Sequence, residues 1–464
     1  MRSPVASSGC PRMVSRRCSS APSSTPSTFS IERSLAVRLR ERLDPVCGER
    51  LYEGTTEGGL AVKVMPRGTV TRSCAQLSLD YGSVDRRFIP DGRVRPVTVP
   101  SGIAHFLEHK MFEKERGDLF NEFSRLGASA NAMTGHLTTS YVFSASADFD
   151  ACLDTLLELV FEPHFTDALV EKELGIIDEE IRGYDDSAGW RGYRGVLEGL
   201  YRRHPVREDI AGTSETIRQI TAKTLHLVHD AFYVPSNAVL CVAGAVDPQA
   251  VVASVDKRLG TDVDRRVRAA TVTPAEPAQI KRRRRKIGMP VALPILQLGF
   301  KGPGARSGRD AFRLETAASI ALEVILGETS AIHEELYAEG LIGDDLSSSV
   351  RADRSMSYAL VGGQTPEPNA LERRLLAAIE DGLSRDLPAE DVERVGRRIL
   401  GDYVRLLDSM EGLCGHLADC HRSGLDLFSL PGAMSEMSPS RVRKYARSML
   451  APDRVTSVSV VPKA

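Results

Sequence analysis

The sequence predicts a mixed α+β fold, on three observations. Segments with the two-residue periodicity of strands alternate with segments of helical periodicity from about residue 52 onward. The order of these segments in the second half coarsely repeats that of the first half. The chain has 464 residues, which is long enough for two or more substantial cores.

The composition is that of an ordinary globular protein. Apolar residues make up 42% of the chain, charged residues 26%, and the formal net charge is −2, so nothing global points to nucleic acid. No uncharged apolar run approaches the length of a membrane span, and we predict none. The eight cysteines form no Cys-x-x-Cys pair and suit a reducing compartment, so we expect a cytoplasmic location.

The first 40 residues are expected to be a disordered extension. Residues 1–30 are rich in serine and arginine, contain no acid and hold few large apolar side chains, so they cannot bury enough surface to offset the entropy of ordering. This composition also resembles an organelle transit peptide, which would place the protein in an organelle matrix. We prefer a non-functional extension, because no amphipathic arginine face is evident.

The first half opens with predicted strands. Glu57-Gly58-Gly59 is typical of a hairpin and precedes an apolar strand over 60–64. Residues 73–81 alternate between apolar and polar side chains, which predicts a strand with one polar face. A loop rich in Arg, Pro and Gly is expected over 82–101.

The next segment, 102–111, carries a His-x-x-Glu-His motif. On a helix, Glu108 and His109 fall about 300° and about 40° from His105, so all three side chains share one face. A catalytic zinc takes three protein ligands and an open position, and a carboxylate that is not a ligand can act as the base. This order of residues is the inverzincin pattern.

A third ligand is sought on a later helix, predicted over 166–184. Its apolar stripe contains Val170, Ile177 and Ile181, and Glu173 and Glu180 lie on one line along the edge of that stripe. Asp178 and Glu179 point away from this line, so we expect both in water. Between the two motifs the periodicity predicts a helix over 118–127, strands over 129–134 and 139–145, and a helix over 148–161.

The stretch from His105 to about residue 190 resembles the pitrilysin/insulinase family of zinc peptidases, which includes bacterial insulinase-like and mitochondrial-processing-peptidase-like proteins. That family joins His-x-x-Glu-His to a distal Glu-x6-Glu. The resemblance implies that His105, His109 and Glu180 bind one zinc ion, that Glu108 is the catalytic base, and that Glu173 supports the catalytic site.

The resemblance also implies how substrate binds. Asn131, within Asn-Ala-Met-Thr, matches the family's substrate-binding edge strand. An extended peptide or small protein would add to that strand through backbone hydrogen bonds. Phe106, beside His105, is also assigned to substrate binding.

Two related α+β domains, each a sheet backed by helices and closing around a cleft, are the architecture that the resemblance implies. We expect a zinc-bearing peptidase domain over 41–262, a basic linker over 263–288, and a metal-free domain over 289–464 that completes the substrate chamber. The six basic residues at 281–286 lack the interleaved aromatic residues of a nucleic-acid site, which favours a solvated linker.

In the second half, periodicity predicts strands at 293–300 and within 345–363. It predicts a closing helix of the first half over 248–259, and helices at 309–326, 328–339, 367–383 and 388–408. A rival metal site at Cys414, His416, Cys420 and His421 is rejected, because a helix would turn these side chains to opposite faces.

The family function implied is zinc-dependent peptide-bond hydrolysis, but one departure keeps alternatives open. Typical members carry an arginine and a tyrosine in a second-domain stretch that engages substrate, and here Tyr337 and Gly343 stand in their places. The chain could therefore be a zinc-binding partner or scaffold subunit that depends on a paralogous chain, in a homo- or heterodimer. A zinc-binding structural protein is the remaining class, although Glu108, placed as a base, argues against it.

Overall fold

The computed structural model describes residues 39–44, 48–260 and 269–463. The extension expected over 1–40 therefore lies outside the described residues, except for its last two. Residue 40 opens the first strand.

The fold mixes helices and sheets, as predicted. The strands are β1 Arg40–Leu43, β2 Arg50–Thr55, β3 Ala61–Pro66, β4 Ser73–Leu79, β5 Arg87–Ile89, β6 Val97–Thr98, β7 Glu113–Lys114, β8 Gly117–Asp118, β9 Ser129–Thr134, β10 Thr139–Ala145, β11 Ala238–Gly244, β12 Ala270–Thr271, β13 Arg284–Met289, β14 Ile295–Lys301, β15 Ser347–Ala352, β16 Ser357–Gln364 and β17 Val455–Pro462. The helices are α1 Ile103–Met111, α2 Leu119–Arg125, α3 Phe149–Phe161, α4 Asp167–Asp186, α5 Ala188–Leu200, α6 Ser214–Ile217, α7 Ala222–Phe232, α8 Pro248–Leu259, α9 Gly308–Leu326, α10 Ala331–Ala338, α11 Pro368–Gly382, α12 Ala389–Asp408, α13 Met410–Ser423, α14 Leu430–Ser435 and α15 Pro439–Met449.

Two large sheets organise the described residues, and their strand orders correspond. The first sheet runs β1-β2-β3-β11-β4-β10-β9, and the second runs β13-β17-β14-β16-β15. In each sheet one parallel pair, β3 with β11 or β13 with β17, is followed by antiparallel neighbours out to a final edge strand. The coarse repeat in the sequence is therefore a repeat of the whole sheet topology.

Each sheet is covered on one face by helices of its own half and on the other by a helix of the opposite half. The first sheet packs on α1, α3 and their neighbours through one core, and on its other face a second core joins it to α13. The second sheet packs on α9, α11 and α15, while its other face packs on α5 of the first half. The two halves thus exchange one helix each.

This exchange explains why β4 has no polar face. The alternation in 73–81 predicts one, yet every residue of Ser73–Leu79 is buried. Gln76 and Ser78 face the layer that α13 covers, and Gln76 Nε2 donates to Ser78 Oγ, which lies 2.8 Å from Ser140 Oγ. The polar atoms are satisfied within the sheet, so their burial carries little cost.

Helix α5 approaches the second sheet through a face of glycines. A Cβ at Gly192, Gly195 or Gly199 would lie 3.0 Å, 3.2 Å or 2.5 Å from a side-chain atom of that sheet. Glycine within a helix costs up to about 1 kcal/mol relative to alanine. Close packing of the helix on the sheet is what offsets that cost here.

Two predicted loops contain strands. Within 82–101, β5 and β6 pair with each other, and β12 pairs with β5. The basic run at 281–286 enters β13, which pairs in parallel with β17, so it is not simply a solvated linker. A strand at the end of the sheet order can carry such charge, because basic side chains at an edge oppose pairing with other chains.

Candidate metal centre

Helix α1 carries the His-x-x-Glu-His motif and begins at a position that only glycine fits. Gly102 has φ 90°, and a Cβ there would lie 2.4 Å from the carbonyl oxygen of Ala211. The helix is almost wholly buried, including His105 and Glu108. Side chains that are polar and buried in this way need partners.

The partners lie on helix α4, which carries Glu173 and Glu180. The Thr166 side chain caps its first turn by accepting from the amide of Leu169, and Val170, Ile177 and Ile181 form the buried stripe as predicted. Glu173 is buried at the edge of this stripe.

The acidic residues next to this line divide differently from the prediction. Glu179 has a side chain that is 72% exposed, as expected. The Asp178 side chain is only 14% exposed and pairs with Arg182 on the next turn, so its placement in water was wrong.

The two helices bring three metal-binding side chains together. Glu180 Oε1 lies 3.5 Å from His105 Nε2, and Glu180 Oε2 lies 3.6 Å from His109 Nε2. One donor atom from each residue lies within 4.8 Å of the other two. Two ligands of a tetrahedral zinc, each about 2.0–2.1 Å from the ion, are about 3.4 Å apart, so the residues fit zinc. Across the described ranges this is the one group of three or more such residues.

Glu173 orients the imidazole of His109 through the ring nitrogen that faces away from Glu180. Its Nδ1 lies 3.1 Å from Glu173 Oε1, and Glu173 Oε2 accepts from Lys110 Nζ at 3.0 Å. A carboxylate can only accept, so Nδ1 carries a proton, which leaves Nε2, on the side of Glu180, as the nitrogen that can bind a metal. For His105, by contrast, the buried Nδ1 has no hydrogen-bond partner among the described residues.

Glu180 is oriented by a residue that sequence reasoning missed. Tyr184 donates its hydroxyl to Glu180 Oε1 at 2.6 Å, and its ring stacks on Trp190 with centroids 5.2 Å apart. Tyr184 lies four residues after Glu180, on the same helix face, and that spacing was the available signal. Lys110, directly after His109, was missed as well.

Glu108 stands beside the three donors without belonging to the group. Thr134, the last residue of β9, donates its hydroxyl to Glu108 Oε2. Burial raises the pKa of Glu108, partly opposed by this hydrogen bond and by the two nearby imidazoles. Thr134 therefore ties the carboxylate to the end of an edge strand.

The pKa values of the other two carboxylates of the site, Glu180 and Glu173, are lowered by their partners. The hydrogen bond with His105 lowers the pKa of Glu180 to about 2, against the effect of its partial burial and with help from Tyr184. Burial would raise the pKa of Glu173, but its bonds with His109 and Lys110 lower it overall. For His109, burial acts to lower the pKa, yet Glu173 and the other carboxylates raise it.

The two residues assigned to substrate binding differ in exposure to solvent. Asn131 is exposed on β9, the last strand of the first sheet, and its Oδ1 accepts from the amide of Ala132 at 2.9 Å. Phe106 is 0% exposed and packs in the first core, so its assignment to substrate binding is wrong. It projects about 100° around α1 from His105, where an aromatic side chain stabilises the core.

The second half does not bring a comparable site together in its described part. Tyr337 is exposed near the end of α10, and Gly343 lies in the loop before β15. Cys414 and Cys420 on α13 are buried in the core under the first sheet, as expected of packing residues.

No helix among the described residues is both long enough and apolar enough to cross a membrane.

Comparison with known proteins places the chain in a family. A model described as insulinase (peptidase family M16) matches residues 98–214, and one described as the peptidase M16 inactive domain matches 219–398. The chain is 36% identical over 421 residues to a Bacillus subtilis protein named uncharacterized zinc protease YmfH, covering 90% of this chain and 97% of that protein. It is 25% identical over 332 residues to zinc protease PqqE of Helicobacter pylori, covering 69% and 73% of the two chains.

Solved structures agree with the fold. A crystal structure of an M16-like peptidase from Alicyclobacillus acidocaldarius superposes with a TM-score of 0.85 at 32% identity, covering 92% of this chain and 99% of that one. A protease from Helicobacter pylori shares the fold with a TM-score of 0.76 at 23% identity, covering 89% of this chain and 100% of that one. The two matching models and the relative that matches over 97% of its own length, together with a group of side chains that could hold a metal ion, lead to one conclusion: this chain belongs to the insulinase (M16) family of peptidases.

Proposed function

We propose that this protein is a zinc-dependent metalloendopeptidase that hydrolyses peptide bonds in peptides or small proteins, with one zinc ion per chain. The observation that carries the proposal is the convergence of His105, His109 and Glu180 beside a buried carboxylate that is not part of the donor group. A structural zinc site would use its fourth position for another ligand.

Each of the chain's own residues has a role in this proposal. When bound, zinc supplies Lewis-acid polarisation of the scissile carbonyl and a lower pKa for water. Glu108 receives the proton of the attacking water. Because Thr134 engages Oε2, we assign that proton to Oε1. Glu173 keeps His109 in the tautomer that binds metal.

The substrate is proposed to bind as an extended strand along β9. This strand ends the order of the first sheet, and Thr134 at its end contacts Glu108. A peptide paired with β9 would therefore pass the proposed base. Backbone pairing of this kind tolerates many sequences, since side-chain pockets contribute only secondary selectivity.

The test is the Glu108→Gln variant, which keeps the volume and part of the hydrogen bonding but cannot accept the proton. We expect it to fold and to bind zinc, and to cleave a peptide library about 10²–10⁴-fold more slowly than wild type, the usual contribution of a positioned base. Glu179→Gln is the matched control, because its side chain is exposed on α4. Chelator should abolish cleavage by wild type, and cleavage by Glu108→Gln at a near wild-type rate would refute the proposal.

A second candidate is a zinc-binding partner subunit of a two-chain peptidase. Tyr337 and Gly343, in place of the family's arginine and tyrosine, favour it. This reading predicts no cleavage by the purified chain, and cleavage that depends on Glu108 once a paralogous chain is added. A purely structural zinc protein would be inactive in both experiments.

The cytoplasmic location is proposed on the cysteines. Cys74, Cys152, Cys241, Cys414 and Cys420 are all free and buried, as is usual for a reducing compartment.

A further inference from the structure

Lys110 is a buried cation that the proposed reaction does not use. Its side chain is 0% exposed on α1, directly after the ligand His109. An ammonium group removed from water is costly unless carboxylates surround it. Here Glu113 and Glu173 both contact Nζ, the second at 3.0 Å.

These contacts form a chain of alternating charge that runs from the surface to the metal site. Lys172, whose side chain is 62% exposed, pairs with Glu113, which pairs with Lys110. Lys110 then binds Glu173, and Glu173 reaches His109. In this series of ion pairs, Lys110 is the cation that contacts Glu173, and Glu173 in turn contacts the proposed ligand His109.

The geometry at Glu173 shows what Lys110 does. The carboxylate divides its two oxygens, Oε2 to Lys110 and Oε1 to His109 Nδ1. With both oxygens engaged, the carboxylate has one orientation, and it is outside the group of donor atoms that converge. Without Lys110, Oε2 would be free to rotate toward the metal or away from His109.

We propose that Lys110 is a positioning residue: it holds Glu173 so that this carboxylate fixes the tautomer of His109 and does not itself become a ligand. This inference rests on the proposed zinc site. Of the two histidines, His109 is the one to which this support applies, since the buried Nδ1 of His105 has no hydrogen-bond partner among the described residues. The open fourth position that a catalytic zinc needs is then preserved by a lysine.

The first test is Lys110→Met, which keeps the length of the side chain but removes the charge and the donor. In the metal-free protein, at a pH where His109 is neutral, ¹⁵N NMR of the imidazole should change from a predominantly Nδ1-protonated tautomer to a mixture. Zinc affinity, measured by competition with a chromophoric chelator, should fall about 10–100-fold, the range for groups that orient ligands. Lys172→Met, at the exposed end of the same chain of charges, should change neither quantity.

A double-mutant cycle tests the route through Glu173. Because Lys110 acts only through this carboxylate, Lys110→Met should weaken zinc binding little further in a Glu173→Gln background. Full additivity of the two effects would overturn the proposal. So would a folded Lys110→Met protein with the wild-type tautomer and zinc affinity, since that result would reduce Lys110 to a structural role.

Two further measurements keep the inference separate from folding and from the proposed function. If Lys110→Met does not fold, Lys110→Gln retains a donor and should give smaller shifts in the tautomer of His109 and in zinc affinity. In wild type, the signal of the Lys110 ammonium group should be protected from hydrogen exchange, and Glu173→Gln should remove that protection. Unchanged protection contradicts the proposal. If wild type binds no zinc, the proposed function fails, whereas the tautomer of His109 still decides the role of Lys110.

Discussion

The two halves of the molecule share one arrangement of sheet and helices, but they differ in the side chains that lie between two corresponding helices. In the first half, α1 is the first helix after β4 and meets α4, the second helix after β10. In the second half, α9 follows β14 and meets α12, the second helix after β16. The first pair of helices brings together two imidazoles and a carboxylate, whereas Glu323 and Arg398 form an ion pair of 3.4 Å across the second.

This difference shows how little of the scaffold the chemistry needs. Both pairs of helices are held by apolar cores of similar kind, and both sheets end in an edge strand, β9 or β15. A few polar side chains at the helix contact separate the half with the candidate metal site from the half that has none in its described part. Function is thus a property of the site rather than of the duplicated architecture.

The largest expected effect is the loss of zinc when the proposed ligands of the first half are removed, which leaves that half without a candidate metal site, like the described part of the second half. His105→Ala combined with His109→Ala removes two of the three donors, so zinc measured by elemental analysis should fall from one per chain to none. Arg398→Met, in the second half, is the control and should leave zinc content unchanged because its ion pair with Glu323 is partly exposed. Zinc retained by the double variant would mean that the metal lies elsewhere.

The next comparison lies within α4. Glu180→Gln removes a proposed ligand and should weaken zinc binding by more than the roughly 10–100-fold expected for Glu173→Gln, which only orients His109. Glu179→Gln should have no measurable effect, because that side chain is exposed and pairs with Arg182. Chelator competition gives all three values, and greater sensitivity at Glu179 would show that the helix is assigned the wrong face.

The smallest effect tests the helix exchange between the halves. In Gly199→Ala the new Cβ would meet Thr456 Oγ1, which donates to the carbonyl of Arg282 at 2.7 Å and cannot move freely. We expect a loss of about 1–3 kcal/mol in the free energy of unfolding, as for other overpacked sites. Gly175→Ala, at an exposed position of α4, meets no atom within 4 Å and should stabilise by up to about 1 kcal/mol.

Denaturant unfolding followed by circular dichroism measures both glycine variants. Equal stability changes at Gly199 and Gly175 would contradict close packing of α5 on the second sheet.

Much of the local structure was predictable because its signals are local. The hairpin at Glu57-Gly58-Gly59 joins β2 and β3, and the strands at 129–134 and 139–145 were confirmed to the residue. Helices α3, α4, α9 and α12 were confirmed within a few residues. One error lies where a distant segment covers a local pattern, as α13 does over Gln76 and Ser78.

The candidate site divides in the same way. Helical periodicity put His105, Glu108 and His109 on one face, and it put Glu173 and Glu180 on one line of a later helix. It could not foresee that Lys110 binds Glu173 or that Phe106 packs in the core, whereas the contact of Tyr184 with Glu180 had a signal in their four-residue spacing. The roles of the site residues themselves stay predictions until the variants above are measured.

By itself, the sequence determined the periodicity of each element and the spacing of the His-x-x-Glu-His motif, because both depend on local rotation along the chain, about 100° per residue in a helix and about 180° in a strand. Only the tertiary structure decided which helices meet, that α5 and α13 each cover the sheet of the opposite half, and which oxygen of Glu173 faces Lys110 and which faces His109. Those contacts join residues from 63 to 340 positions apart. They are selected by the burial of whole faces and the pairing of buried charges, which no local pattern records.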